Sequence, residues 1–60
     1  MMNISAIKIL IVDDDVFVRA MLSSILEAGG YSIIMAENGR EALEKCLYDE
    51  SIDLIVSDVN

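Results

Sequence analysis

Three short apolar runs divide the chain, and each has the character of a buried β-strand. They occupy residues 7–12, 31–35 and 52–57. A nearly continuous apolar run is typical of a parallel strand that is covered on both faces. We therefore predict three strands and place residues 7–12 at the centre of the sheet.

The segment between the first two runs changes to a helical period. From residue 15 or 16 to residue 28, the predicted buried face is formed by Val18, Met21, Leu22 and Ile25. These residues recur at spacings of three and four. The other side of the helix carries Arg19, Ser23 and Glu27. Gly29 and Gly30 are predicted to end the helix, because glycine adopts the left-handed conformation at little steric cost.

A second helix is predicted over residues 39–48. Asn38 and Glu41 have the spacing of a capping box, in which Asn38 accepts a backbone N–H and Glu41 reaches back. The predicted buried face consists of Ala42, Leu43, Cys46 and Leu47. The resulting order of strand, helix, strand, helix, strand makes two right-handed βαβ crossovers. We predict one α/β unit over residues 1–60, half of a doubly wound parallel sheet.

Composition limits the classes of function. The chain is 55% hydrophobic and lacks proline, which favours a folded domain, and its net charge is -7. That charge argues against direct binding to nucleic acid or an anionic membrane and favours cations or basic protein surfaces. A chain of 60 residues buries only about 60% of its unfolded surface, so we expect marginal stability.

Cysteine and histidine usage excludes other chemistry. Cys46 is the only cysteine and the sequence has no histidine, so neither a zinc site nor a Cys-His nucleophile is available. We interpret Cys46 as a small buried hydrophobic residue. No apolar run has the length of a spanning helix or the pattern of a signal peptide, and we expect a soluble, cytoplasmic protein.

Carboxylates follow two of the predicted strands. Asp13 and Asp14 come directly after the first strand, and Asp58 comes directly after the third. Adjacent parallel strands would bring these groups to one edge of the sheet, where α/β proteins bind ligands. Mg²⁺ suits such an oxygen-rich cluster, and it would make Asp58 a usable nucleophile toward a phosphodonor.

A simpler interpretation of residues 13–15 is that they only begin a helix. Aspartate is a common N-cap, and acidic residues are favourable at the positive end of a helix. We assign this role mainly to Asp15. We interpret Arg19 as a surface charge rather than a phosphate ligand.

Three motifs resemble the receiver domains of two-component response regulators. They are ILIVDDD at residues 9–15 followed by Arg19, AENGREAL at residues 36–43, and DLIVSD at residues 53–58. The resemblance implies a flavodoxin-like fold with strand order 2-1-3. It also implies that a histidine kinase or phosphotransfer protein phosphorylates Asp58, and that the domain signals without being an enzyme. Asp14 would bind Mg²⁺ directly, Asp13 mostly through water, and the backbone carbonyl of Asn60 would complete the protein ligands.

The resemblance covers only the N-terminal half of such a domain. Family members continue with two more strands and three more helices, which supply a Thr or Ser and a Lys for the phosphoryl group. We expect phosphotransfer to be impaired in a fragment that lacks them. The alternative is a self-associating half-domain without phosphoacceptor activity, and in either case we expect a homodimer through the edge of the third strand.

Overall fold

A computed structural model describes residues 7–57 of the chain. Its elements are β1 (Lys8–Val12), α1 (Val16–Ala28), β2 (Ser32–Ala36), α2 (Gly39–Tyr48) and β3 (Leu54–Ser57). All five predicted elements are present in the predicted order. The strand boundaries differ slightly, since β2 includes Ala36 and β3 begins at Leu54 rather than at Ile52.

The three strands form one parallel sheet in the order β2-β1-β3. The register pairs Leu10 with Ile34 on one side and with Ile55 on the other. The crossover from β1 to β2 and the crossover from β2 to β3 run in opposite directions across the sheet, and right-handed connections therefore place α1 and α2 on opposite faces. The predicted fold class is confirmed: this is a βαβαβ, flavodoxin-like half of a doubly wound sheet.

The core is built around β1, whose Leu10 and Ile11 are fully buried. Successive side chains of a strand point to opposite faces. Leu10 and Val12 pack with Ala36 and Ala42, and this cluster is extended by Ile34, Cys46 and Ile52. Cys46 thus behaves as the small hydrophobic residue that the sequence indicates.

Side-chain and backbone hydrogen bonds fix the ends of the helices. Asp15 Oδ1 accepts from the N–H groups of Phe17 (2.8 Å) and Val18 (3.3 Å), which confirms Asp15 as the N-cap of α1. Asn38 Oδ1 accepts from the N–H of Glu41 at 2.8 Å, as predicted for α2. Beyond the end of α1, Gly30 has a φ of 93°, a conformation that favours glycine.

The predicted buried faces of both helices are partly wrong. On α1, Met21 and Ile25 are exposed, whereas Ser23 is buried and Leu22 half-buried. Ser23 tolerates burial because its hydroxyl donates to Glu27 Oε1 at 2.7 Å. The face that meets the sheet is therefore rotated from the one the apolar spacing indicates.

The same kind of difference occurs on α2. Ala42 is buried and Cys46 half-buried, but Leu43 is 61% exposed and Leu47 is 69% exposed. A small residue such as Ala42 lets the helix backbone lie close to the sheet, and the larger side chains then point away from it. Within residues 7–57, neither helix is long and apolar enough to cross a membrane.

A polar network joins the start of β1 to the loop between α2 and β3. The Lys8 ammonium donates to Asp49 Oδ2 at 2.9 Å and to Ser51 Oγ at 2.6 Å. The Lys8 N–H donates to Asp53 Oδ2 at 2.9 Å, and the Asp53 N–H donates to the Lys8 carbonyl at 2.8 Å. This network lies at the amino end of β1, whereas Asp13 and Asp14 follow its carboxyl end.

The network makes the stability of the fold depend on pH in the acidic range. The Ser51 hydroxyl, followed by the Lys8 ammonium and the Ser51 N–H, lowers the pKa of Asp49 from 3.8 to about 2. A lowered folded-state pKa contributes stability above the unfolded value, and this contribution is lost as the pH falls from about 4 toward 2. We expect Asp49→Asn to flatten the pH dependence of the melting temperature in this window.

Melting curves followed by circular dichroism between pH 2 and pH 5 measure this effect. Glu50→Gln is the matched control, because it removes a carboxylate from the next residue without touching Lys8 or Ser51. An equal pH dependence for wild type and Asp49→Asn would contradict the role of the network.

Candidate functional site

Asp13 directly follows the central strand and is held by its surroundings. Its N–H donates to the carbonyl of Ala36 at 3.1 Å, which continues the pairing of β1 with β2. Its side chain is buried, with only 6% of the residue exposed. Asp13 Oδ1 accepts from the N–H of Asp15 at 2.8 Å, so the carboxylate has a fixed orientation.

The three consecutive aspartates have three different environments. Asp13 is buried, Asp14 is exposed, and Asp15 caps α1. The interpretation that this run only begins a helix therefore describes Asp15, whereas Asp13 and Asp14 lie at the carboxyl end of β1 before the helix begins. Asp14 is the aspartate of this run whose carboxylate is free to meet a ligand from solvent.

A cleft of about 310 Å³ opens at this edge of the sheet. Its lining comes from the ends of β1 and β3, from the residues that follow β1 and β2, and from the start of α2, namely Val12, Asp13, Asp14, Glu37, Asn38, Gly39 and Ser57. The carboxyl ends of parallel strands are where open α/β sheets bind ligands. The structure therefore brings Asp13 and Asp14 together in an oxygen-rich cleft.

Glu37 was not among the site residues predicted from the sequence. It follows Ala36, the last residue of β2, in the same way that Asp13 follows Val12. Because β2 and β1 are parallel neighbours, residues after the two strands share one edge. That rule, applied to the second strand, would have identified Glu37.

Asp58 and Asn60, the other predicted site residues, lie outside the described residues. Within residues 7–57, no group of three or more His, Cys, Asp or Glu side chains could hold a metal ion by itself. The donors that line the cleft are oxygen atoms, and Cys46 lines a different cleft near Asp49. This donor set fits a hard cation such as Mg²⁺ better than it fits zinc.

Arg19 is not the free surface charge that the sequence suggested. It is half-buried, and its Nη1 donates to the backbone carbonyl of Asp13 at 2.6 Å. Apolar spacing placed Arg19 off the buried face of α1, but the long side chain reaches back from the first turn of the helix to the loop after β1. The arginine therefore lines a neighbouring cleft, together with Glu37 and Glu41, and contacts the acidic cleft through the backbone of Asp13.

Known proteins similar to this chain are response regulators. The sequence model of the response regulator receiver domain matches residues 9–60. The transcriptional regulatory protein CpxR of Escherichia coli (strain K12) is 46% identical over 52 residues, which cover 87% of this chain and 22% of that protein. The alkaline phosphatase synthesis transcriptional regulatory protein PhoP of Bacillus subtilis (strain 168) is 48% identical over 52 residues, which cover 87% of this chain and 21% of that protein.

A third relative has a similar identity and coverage. The response regulator MprA of Mycolicibacterium vanbaalenii is 45% identical over 53 residues, covering 88% of this chain and 22% of that protein. The chain thus spans about a fifth of the length of the curated relatives it matches. No solved structure matches it at a comparable level of significance. The family model covers nearly the whole chain and the sheet has the predicted order, so the chain belongs to the response regulator receiver domain family.

Proposed function

We propose that this chain is the part of a receiver domain that accepts a phosphoryl group on Asp58, with Mg²⁺ bound beside it. The single observation that carries the proposal is that buried Asp13 and exposed Asp14 line the same cleft as Ser57. Ser57 is the residue that precedes Asp58 in the sequence. The phosphodonor would be a histidine kinase or a phosphotransfer protein in the cytoplasm. The chain would act as a signalling module and not as an enzyme in its own right.

The proposed ligand roles follow from burial and from the family. Exposed Asp14 would bind Mg²⁺ directly, the Asn60 carbonyl and Asp58 would complete the protein ligands, and Asp13 would act mostly through water. The hydrogen bond from the Asp15 N–H holds Asp13 Oδ1, which leaves Oδ2 for that water. Bound Mg²⁺ would supply positive charge that offsets the charge of an incoming phosphoryl group.

The proposed chemistry is a phosphoryl transfer to a carboxylate. An oxygen of Asp58 attacks phosphorus, the bond from phosphorus to the donor atom breaks, and the donor leaves with the electron pair of that bond. The product is an acyl phosphate on Asp58.

Reaction with small phosphodonors tests the proposal. With acetyl phosphate and Mg²⁺, we expect intact-mass spectrometry to detect phosphorylated chain, and we expect Asp58→Asn to abolish it. Glu50→Gln is the control, because it removes a carboxylate near the opposite edge of the sheet. Phosphorylation that persists in Asp58→Asn would contradict the assignment of the nucleophile.

The extent of the reaction is a second part of the same prediction. We expect the 60-residue chain to react more weakly than a receiver that also carries the Thr or Ser and the Lys of the family, because these groups stabilise the transferring phosphoryl group. Stoichiometric and long-lived phosphorylation of the 60-residue chain would contradict this expectation.

Self-association is a second proposal, and the edge strand supports it. Within the described residues β3 pairs only with β1, and Leu54 and Ile55 on β3 are 52% and 51% exposed. An unpaired strand edge is a template for pairing with another chain. Two copies of the 60-residue chain would form one six-stranded sheet with an antiparallel central pair, or would pack their uncovered faces together.

Light scattering coupled to gel filtration measures this association. We expect about twice the chain mass of 6.6 kDa at micromolar concentration. Val56→Lys should shift the chain toward monomeric or unfolded protein, whereas Leu43→Lys on the exposed side of α2 should not. A stable, folded wild-type monomer would contradict the proposal. Membership of the receiver family favours phosphoacceptance over a half-domain that only associates.

A further inference from the structure

We propose that Arg19 is a positioning residue for the acidic cleft, holding the peptide between Asp13 and Asp14 so that Asp14 presents its carboxylate to the cation. This inference rests on the proposed function, since it names what orients the Mg²⁺ ligand. The observation that carries it is the hydrogen bond from Arg19 Nη1 to the Asp13 carbonyl at 2.6 Å.

Among residues 7–57, three hydrogen bonds fix Asp13, and one of them acts on its carbonyl. The N–H of Asp13 donates to Ala36, its Oδ1 accepts from Asp15, and its carbonyl accepts from Arg19. The carbonyl of Asp13 and the N–H of Asp14 belong to one planar peptide group. Holding the carbonyl therefore fixes the orientation of the peptide plane that leads into the Cα atom of Asp14.

Asp14 depends on that plane because its own side chain is unrestrained. It is exposed, and among residues 7–57 its carboxylate makes no hydrogen bond or ion pair. The backbone therefore sets the direction of its Cα–Cβ bond, and with it the region that the Asp14 carboxylate can reach. Asp13, in contrast, is oriented directly through its carboxylate.

The position of Arg19 on α1 also needs an explanation. The Arg19 N–H donates to the Asp15 carbonyl at 3.0 Å, so the residue lies in the first turn of the helix. A cation in the first turn is unfavourable, because the helix dipole is positive there. The hydrogen bond to the Asp13 carbonyl, which bears partial negative charge, offsets this cost.

Positioning and simple charge predict opposite effects on Mg²⁺ affinity. If Arg19 acted only as a nearby positive charge, its removal would strengthen Mg²⁺ binding, because two cations repel each other. If Arg19 positions Asp14, its removal weakens binding. Groups that orient metal ligands in this way typically change metal affinity by about 10- to 100-fold.

Titration with MgCl₂, followed in ¹H–¹⁵N NMR spectra of the 60-residue chain, separates these cases. We expect Arg19→Met, which removes the donor and the charge but retains an unbranched side chain, to weaken Mg²⁺ binding by about 10-fold. Arg19→Lys keeps the charge and one donor, and it should restore most of the affinity. Arg40→Met is the matched control, because Arg40 is an exposed cation whose ion pair with Glu44 lies on α2.

The same spectra give a readout that does not require the metal. A hydrogen bond to a carbonyl changes the ¹⁵N shift of the following residue, so the Asp14 amide resonance should move in Arg19→Met before any Mg²⁺ is added. Arg40→Met should leave it in place. If Arg19→Met does not give the dispersed spectrum of a folded chain, Arg19→Leu, which also has neither donor nor charge, serves in its place with the same expected loss of affinity.

The outcomes distinguish the two proposals. If wild type binds Mg²⁺ and a folded Arg19 variant binds it equally well or more tightly, the positioning role is overturned and the proposed function stands. If wild type does not bind Mg²⁺, the proposed function fails and this inference fails with it. Weaker binding together with a displaced Asp14 resonance supports both.

Discussion

Leu10→Ala should remove a large part of the free energy of unfolding at room temperature. Leu10 is fully buried in the central strand and packs in the cluster with Val12, Ala36 and Ala42. Truncating a buried leucine lowers the free energy of unfolding by about 2–5 kcal/mol. A domain of this length has a free energy of unfolding of about 3–9 kcal/mol, so the loss is comparable to the total.

Urea titration followed by circular dichroism measures the loss, and Leu43→Ala is the matched control. It makes the same chemical change on the exposed side of α2, and we expect a change within about 0.5 kcal/mol. This pair also tests the observed orientation of α2, because the sequence pattern had placed Leu43 on the buried face. Similar losses for both variants would contradict that orientation.

The second large effect should come from Asp14→Ala, which we expect to abolish stabilisation by Mg²⁺. A ligand that binds only the folded state at ten times its dissociation constant raises the free energy of unfolding by about 1.4 kcal/mol. In a domain of this size, that corresponds to a rise of about 6–11 °C in melting temperature. Because Asp14 is exposed, its replacement should change the melting temperature little in the absence of Mg²⁺.

Thermal melts with and without millimolar MgCl₂ test this prediction. Glu50→Ala is the control, since it removes a carboxylate far from the cleft and should keep the full gain. An undiminished gain in Asp14→Ala would show that Mg²⁺ binds elsewhere. No gain in folded wild type would contradict a preformed cation site.

Local sequence was sufficient to predict the elements and the helix caps. The apolar run ending at Val12 is buried on both faces, as such a run requires. Asp15 and Asn38 cap their helices because a side-chain acceptor at that position meets a nearby unpaired N–H. These features depend on neighbours within a few residues, so the sequence contains what is needed to predict them.

The orientation of the helices could not be predicted in the same way. Apolar spacing indicates which residues could face a core. The face of the helix that meets the sheet depends instead on the crossover connection and on how closely the helix approaches the sheet at small residues. This is why Met21 and Leu43 are exposed while Ser23 and Ala42 are buried. Burial of Ser23 also depends on its hydrogen bond to Glu27, which apolar spacing does not describe.

For the site, the sequence by itself determined that acidic residues follow the ends of strands, and the parallel crossovers placed Asp13 and Asp14 at the edge where ligands bind. Tertiary structure decided that Asp13 is buried and that Asp14 is exposed. It also decided that Glu37 joins the cleft and that Arg19 reaches the Asp13 carbonyl. Strand ends follow from periodicity along the chain, whereas the reach of a long side chain across a loop depends on how the elements pack in three dimensions.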